Sequence, residues 1–139
     1  MTHRPLPTII GPTENALREL LTRTLGVTRI DGYDEWVYLN MTAGGATIEQ
    51  IALALRLTRQ AADTVGNRLA TKGMLSANTE LTEDGRQQLA QGRDLVSVMT
   101  ERLTVDLEPE RQRICAEVLD VIRERADREL APSLQAKRK

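Results

Sequence analysis

Residues 47–69 read TIEQIALALRLTRQAADTVGNRL, and this stretch predicts two short helices joined by a tight turn. Its first half has the helical spacing of apolar residues that gives one buried face: Ile48, Ile51, Ala52 and Leu55. Thr47 is a favoured N-cap for that helix, and Thr58 is the N-cap of the next, which ends before Gly73. Two helices that cross steeply need a small residue at their closest approach, and Ala52 supplies one. The stretch therefore predicts a helix-turn-helix.

The second helix of this motif would present a polar face to solvent. That face and its two ends carry side chains that can contact phosphates or base edges in a major groove: Thr58, Arg59, Gln60, Asp63, Thr64, Asn67, Arg68 and Lys72. Basic residues outnumber acidic ones between Thr47 and Leu75, although the whole chain has a net charge of -1. Any DNA contact must therefore come from charge clustered on this segment. The alternative is a helical hairpin without a DNA-binding role.

Composition favours a mainly α fold. The chain has 139 residues, the size of one domain, and 40% of them are hydrophobic, which is enough to bury a core. Aromatic residues make up only 2% and phenylalanine is absent. A core of aliphatic side chains suits helices better than a β-sandwich or barrel. We therefore predict one domain over residues 1–139.

The flanking segments add four helices and a small hairpin. Three prolines in residues 1–12 predict an extended arm. The predicted helices span residues 14–25 behind Thr13 as N-cap, 34–42, 83–105 and 109–130, with a minimal β-hairpin within 74–82 and a frayed tail from 132 to 139. The last two helices carry apolar stripes that the small remaining body cannot cover, so we expect them to meet a second copy of the chain. The alternative is that they pack only on their own chain.

The single histidine, His3, and the single cysteine, Cys115, cannot supply a metal site or a catalytic constellation. We therefore expect no enzyme activity, no cofactor and no metal. Cys115 lies beside apolar neighbours and is expected to be a buried, inert thiol. The sequence has no apolar run near the roughly 20 residues of a membrane span and no signal peptide, so we expect a cytoplasmic protein without a membrane partner.

Two motifs resemble the MarR family of transcriptional regulators. Ile48–Leu75 resembles that family's helix-turn-helix and ends in a similar Lys-Gly-Leu-like turn, here Lys72-Gly73-Met74-Leu75. The segment Leu81-Thr82-Glu83-Asp84-Gly85-Arg86 is similar to the LT-x-x-G-R step by which the family leaves its wing and enters a long dimer helix. The resemblance covers residues 14–130. It implies a mainly α winged helix-turn-helix at about 33–82, with a shortened β-wing, and dimerisation helices at about 13–26 and 83–130.

The resemblance also implies a function. It implies a homodimeric transcriptional regulator that binds specific sequences in double-stranded DNA and acts as a ligand-responsive repressor. It further implies a pocket for a small aromatic or phenolic ligand near Tyr33, Trp36 and Tyr38. Packing of Trp36 in the core is the alternative for that residue.

Three departures from the family pattern concern the turn and DNA affinity. Arg56 stands at a turn position where the family commonly has glycine and where φ tends to be positive, so we expect a slightly strained turn or a turn of a different shape. Thr64, preceded by Asp63, stands where an arginine is common, and the wing is cut to residues 76–80 without a basic residue. Fewer phosphate contacts lower affinity. The rival function is therefore a winged-helix protein-interaction module that has lost strong DNA binding, and the salt dependence of binding would separate the two.

Overall fold

The structure is a computed structural model that describes residues 4–76 and 79–137, with side chains up to residue 131. It contains six α-helices: α1 (Leu6–Thr24), α2 (Gly32–Ala43), α3 (Ile48–Leu55), α4 (Arg59–Thr71), α5 (Glu83–Thr104) and α6 (Pro109–Lys137). Among the described residues, β structure is limited to one antiparallel bridge between Leu75 and Leu81. The chain divides into two compact units, residues 1–101 and 102–139. The predicted mainly α winged-helix fold is confirmed, although residues 77 and 78 of the predicted wing lie outside the described residues.

The helix-turn-helix forms as its local signals predict. The Thr47 hydroxyl accepts from the Gln50 amide at 3.2 Å, and the Gln50 side chain accepts from the Thr47 amide at 2.8 Å, which completes a capping box. Thr58 caps α4 by accepting from the Ala61 amide at 3.0 Å. Between the helices, Arg56 has a φ of 57°, the left-handed conformation expected at this turn.

The core of the first unit holds the helix-turn-helix against α2 and α5. Its fully buried apolar side chains come from α2, α3, α4 and the connecting segments: Leu25, Ile30, Leu39, Ile51, Leu69 and Met74. Leu89 of α5 packs on the same cluster. The buried stripe of α4 therefore fixes which side of that helix faces solvent.

The first helix begins earlier than the sequence suggests. Residues 1–12 were expected to form an extended arm, but α1 begins at Leu6. Pro7 lies in the first turn, where the amide that proline lacks would have no partner within the helix. Pro12 lies inside the helix, and the predicted cap Thr13 instead donates its hydroxyl to the carbonyl four residues earlier at 2.7 Å. Pro7 is therefore compatible with the start of α1, whereas Pro12 removes one backbone hydrogen bond from the interior of the helix.

A close approach joins the end of the helix-turn-helix to the start of α5. The Thr82 hydroxyl donates to the Gly73 carbonyl at 2.6 Å and accepts from the Gly85 amide at 2.9 Å, so Thr82 caps α5. Gly85 is buried, and a side-chain methyl there would overlap the carbonyl oxygen of Met74. Glycine is required here because two backbones touch.

The last helix differs from its prediction in two respects. It continues to Lys137 rather than ending at Leu130, because no glycine interrupts the good helix formers after Pro132. Cys115 on this helix is exposed where a buried thiol was expected. Large apolar side chains on this helix are between 41% and 59% exposed: Ile114, Val118, Leu119, Val121 and Leu130. None of the described helices is long and apolar enough to cross a membrane.

Candidate nucleic-acid interface

The polar face of α4 is exposed. The structure brings seven of the eight predicted DNA-contacting residues to the surface of this helix and its N-cap: Thr58, Arg59, Gln60, Asp63, Thr64, Asn67 and Arg68. The opposite face, with Ala62, Val65 and Leu69, is buried. A helix held by one apolar stripe can lay its other face in a major groove. These side chains are therefore placed where base edges or phosphates could reach them.

The eighth predicted residue, Lys72, lies apart from this face. Its ammonium nitrogen is 2.7 Å from both the Asp31 and Glu35 carboxylates and donates to the Arg29 carbonyl at 3.0 Å. Its side chain is only 23% exposed. Lys72 thus ties the end of α4 to the start of α2.

Glu35 is the residue that sequence reasoning missed. It is 1% exposed and is the buried charged residue of the described core. Its carboxylate accepts from Lys72 and, at 3.2 Å, from Nε of Arg68. A signal was available, because Glu35 lies three and four residues before Tyr38 and Leu39, on the buried side of α2. A charge at a core position of an amphipathic helix needs a partner.

The charges of the interface are largely balanced. Arg59 pairs with Glu49 at 2.6 Å and with Asp63 at 3.3 Å, and Arg68 pairs with Glu35. The basic excess counted along the sequence is therefore offset by carboxylates, one of which comes from α2. Non-specific attraction to phosphates is expected to be weak for a face of this kind.

The three aromatic residues predicted to line a ligand pocket lie on different sides of α2. The Tyr33 ring packs against the guanidinium of Arg18, 4.0 Å from the ring centroid. Trp36 packs on the core against Gly92, where a Cβ would be 2.8 Å from the indole. Tyr38 points to α4 instead. The structure does not bring the three together, and a ligand site among them stays a prediction.

Tyr38 lies directly against α4. It is 2% exposed, and a Cβ on Gly66 of α4 would be 2.5 Å from its hydroxyl oxygen. A cavity of about 120 Å³ beside it is lined by Asp63 and Asn67, among others. Burial and the negative charge of Asp63 raise the pKa of the Tyr38 phenol above its ordinary value.

Two ionisable side chains at α4, Lys72 and Tyr38, make the stability of the fold sensitive to alkaline pH. Burial lowers the pKa of Lys72, but its hydrogen bonds to Asp31 and Glu35 raise that pKa more, so the net change is upward. The Tyr38 pKa is also raised. A group whose pKa is higher in the folded state stabilises the fold at pH values below its unfolded pKa, which is about 10 for lysine and for tyrosine. This stabilisation is lost as the pH rises.

We therefore expect the thermal midpoint to fall when the pH rises from 8 to about 11. Tyr38→Phe should remove part of this fall, because phenylalanine has no proton to lose. Tyr33→Phe is the matched control, since it deletes the other tyrosine hydroxyl without touching α4. Circular dichroism at each pH measures the midpoint, and equal alkaline sensitivity of Tyr38→Phe and the unmodified chain would contradict the expectation.

Metal ligation finds no support in the described residues, which contain no group of three or more His, Cys, Asp or Glu side chains placed to hold an ion. The polar groups at α4 are hydrogen-bond donors and acceptors without a nucleophile and base in contact.

A protein-family model described as wHTH-PRTase associated matches residues 36–113, which is more than half of the chain. The matched segment contains the whole helix-turn-helix, all of α5 and the first residues of α6. No curated protein shows a significant sequence match.

Several solved structures are similar to this chain in fold. One is the Mycobacterium tuberculosis MarR family protein Rv2887 in complex with DNA, with 23% identity, a TM-score of 0.71, and coverage of 86% of this chain and 98% of that one. The transcriptional repressor CouR bound to p-coumaroyl-CoA has 19% identity, a TM-score of 0.76, and coverage of 86% and 92%. Reduced MarR from E. coli has 20% identity, a TM-score of 0.70, and coverage of 87% and 95%. The chain therefore has the fold of these regulators.

Proposed function

We propose, from the premise that the chain belongs to the wHTH-PRTase associated family, that it is a transcriptional regulator that binds specific sequences in double-stranded DNA. We further propose that it acts as a homodimeric, ligand-responsive repressor. The observation that carries the proposal is the exposed polar face of α4. The N-caps of α3 and α4 and the buried apolar stripe of α4 hold that face in position.

The relatives in fold support this proposal. Rv2887 has been solved with DNA, and the same protein has been solved with salicylic acid. CouR is a repressor solved with p-coumaroyl-CoA. A chain with the same fold and an exposed α4 can present that helix to a major groove in the same manner.

Dimerisation would explain the exposed apolar side chains of α6. Ile114, Val118 and Val121 are each more than 40% exposed. An apolar stripe on a long helix is usually covered by a partner, and closed two-fold dimers are the commonest assemblies. Two recognition helices in such a dimer would contact half-sites roughly 34 Å apart, so the preferred DNA should be a pseudo-palindrome.

Selection of genomic fragments with the purified chain tests this function. We expect an enriched pseudo-palindrome, with binding that weakens steeply as salt rises.

Arg68→Ala should reduce the slope of log affinity against log salt by about one unit if Arg68 contacts one phosphate. Gln60→Ala should cost about 1–3 kcal/mol at one base pair if its contact is bidentate. Asp63→Asn should tighten non-specific binding, because it removes a carboxylate that pairs with Arg59.

Arg23→Ala is the control for this series. It removes one positive charge from a side chain of α1 that is 77% exposed and lies outside α4. Its affinity and salt slope should equal those of the unmodified chain. If DNA binding is unchanged in all three α4 variants while the fold stays intact, α4 is not the helix that contacts DNA.

A second candidate function is favoured by the family's description. PRTase is the usual abbreviation for phosphoribosyltransferase. Association with such an enzyme would suit this winged helix, because Arg59 and Arg68 on its surface are already paired with carboxylates: Glu49, Asp63 and Glu35. Such a module would bind a protein partner and show little salt-dependent attraction to random duplex DNA. The enriched fragments separate the two functions: tight binding to them that weakens steeply with salt supports the DNA-binding regulator, and no enrichment supports the protein-partner module.

A further inference from the structure

The outermost strip of α4 is polar and uncharged. Gln60, Thr64 and Asn67 lie within about 60° of one another around the helix, opposite the buried side chains of Val65 and Leu69. All three are exposed. Gln60 and Asn67 are seven residues apart, so their Cα atoms are separated by roughly 10 Å along the axis, about three base-pair steps of DNA. This uncharged strip, Gln60, Thr64 and Asn67, would lie deepest if α4 entered a major groove.

The side chains of the uncharged strip differ in the hydrogen bonds that they can still make. The side-chain amides of Gln60 and Asn67 form no hydrogen bond to any described residue, so each keeps a carbonyl acceptor and two N–H donors. The Thr64 hydroxyl donates to the Gln60 backbone carbonyl at 3.1 Å. Thr64 therefore has no proton left to donate to a base, and it offers an accepting oxygen and a methyl group.

The arginines of α4 lie on the two edges of the uncharged strip, and both are already paired. On one edge, Arg59 donates through Nη1 to Glu49 at 2.6 Å and through Nε to Asp63 at 3.3 Å. On the other edge, Nε of Arg68 donates to Glu35 of α2 at 3.2 Å. An arginine that reads guanine places two N–H groups on O6 and N7 of the base. Arg59 would have to give up an ion pair to do so, and Arg68 is held toward α2, so the edges of α4 suit phosphates better than guanine.

Asp63 adds a repulsive element against guanine. Its carboxylate is exposed and lies beside the uncharged strip, three residues after Gln60 and four before Asn67. Guanine presents two acceptors in the major groove, whereas adenine presents an amino donor beside N7. A carboxylate repels the two acceptors of guanine and can accept from the amino group of adenine. Cytosine also presents an amino group, and the experiment below separates it from adenine.

We propose that α4 selects A·T base pairs, with Gln60 and Asn67 each bonded to N6 and N7 of an adenine and Thr64 in contact with the methyl group of a thymine. A primary amide matches adenine by accepting from N6 and donating to N7. The other three bases do not present a donor and an acceptor side by side in the major groove. The inference rests on the proposed function, because it names the bases that the proposed DNA-binding face would contact.

Selection from a library of duplexes with about 20 random base pairs, two helical turns, tests the inference with the full chain. We expect each contacted stretch of the enriched duplexes to contain two A·T pairs within about four base pairs. Replacing a contacted adenine with 7-deazaadenine, which has a C–H group in place of N7, should weaken binding about two- to tenfold. Gln60→Ala and Asn67→Ala should each weaken binding about 5- to 150-fold, and each should abolish the effect of 7-deazaadenine at its own position.

The thymine contact has its own test. Uracil in place of the contacted thymine lacks only the methyl group, so binding should weaken about two- to fourfold. Thr64→Ser keeps the hydroxyl and deletes the side-chain methyl, and it should abolish this effect of uracil. Thr22→Ser is the matched control, because Thr22 lies on α1 and its hydroxyl also donates to the carbonyl four residues earlier, at 3.0 Å. Gln87→Ala, at an exposed position of α5, is the control for the two amides. Both controls should keep the affinity of the unmodified chain and its response to both modified bases.

Three results would overturn the inference alone. The first is enrichment of G·C pairs at the contacted positions, which includes contact with cytosine. The second is enrichment of A·T pairs whose replacement by 7-deazaadenine or uracil changes nothing, because the sequence would then be selected through the shape of the duplex. The third is an effect of the modified bases that persists in the Gln60, Asn67 and Thr64 variants. Failure to enrich any duplex would overturn the proposed function together with the inference.

Discussion

Replacing Glu35 with alanine should lower the free energy of unfolding by about 2–3 kcal/mol. The buried carboxylate accepts from Lys72, Arg68 and the backbone amide of Asp31. Without it, Lys72 keeps only Asp31 as an acidic partner, and Arg68 loses its contact with α2. The loss stays below that of a fully buried pair because Arg68 is half-exposed and can be solvated. Urea unfolding followed by circular dichroism measures the difference.

Glu19→Ala is the matched control for this change. Glu19 pairs with Arg23 at 2.8 Å, but both side chains are mostly exposed. An exposed pair within one helix contributes little, so the change should stay below about 0.5 kcal/mol. Equal losses in the two variants would show that burial of Glu35 gives its ion pairs no special role in holding α4 on α2.

Gly85→Ala should cost about 2 kcal/mol or more, by a different mechanism. The added methyl would overlap the carbonyl oxygen of Met74, which is backbone and cannot rotate away. That oxygen also accepts from the Thr82 amide at 3.1 Å. Relief of the overlap would therefore separate α5 from the end of the helix-turn-helix. Thermal unfolding measured by calorimetry gives the loss as a lower midpoint.

The same substitution at Gly11 should change stability much less. Gly11 lies inside α1, and apart from its two chain neighbours a Cβ there would meet no heavy atom within 4 Å. The helical preference for alanine over glycine, about 0.5–1 kcal/mol, is opposed here because Pro12 disfavours a Cβ on the helical residue before it. A small effect at Gly11 beside a destabilised Gly85→Ala would isolate the close approach as the cause. Equal losses in both variants would contradict the contact with Met74.

The sequence predicts best those parts of the fold that depend on neighbouring residues. The caps at Thr47 and Thr58 are each decided within a few positions, and the structure confirms both. The positive φ at Arg56 followed instead from the family resemblance, and the structure also has it. The predicted start of α1 was wrong, because proline is compatible with the first turn of a helix as well as with an extended arm. The residue alone could not separate these two states.

The candidate site was predictable only in part. The exposed face of α4 follows from its periodicity, but the ion pair of Glu35 with Arg68 joins residues 33 positions apart. Such a pair depends on how α2 crosses α4, which no local pattern encodes. The separation of Trp36 from Tyr38 was within reach, because two residues advance a helix by about 200° and place their side chains on opposite sides.

The contact of Tyr38 with Gly66 has a mechanical consequence. The missing side chain on Gly66 lets α4 lie against the tyrosine ring, and one turn further along Glu35 holds Arg68 and Lys72. These two adjacent contacts oppose sliding and rotation of α4 on α2, so we expect the two helices to move together. A ligand that changes the orientation of α4 would therefore have to rotate α2 with it. Such a ligand would have to act on the segments at the ends of these two helices.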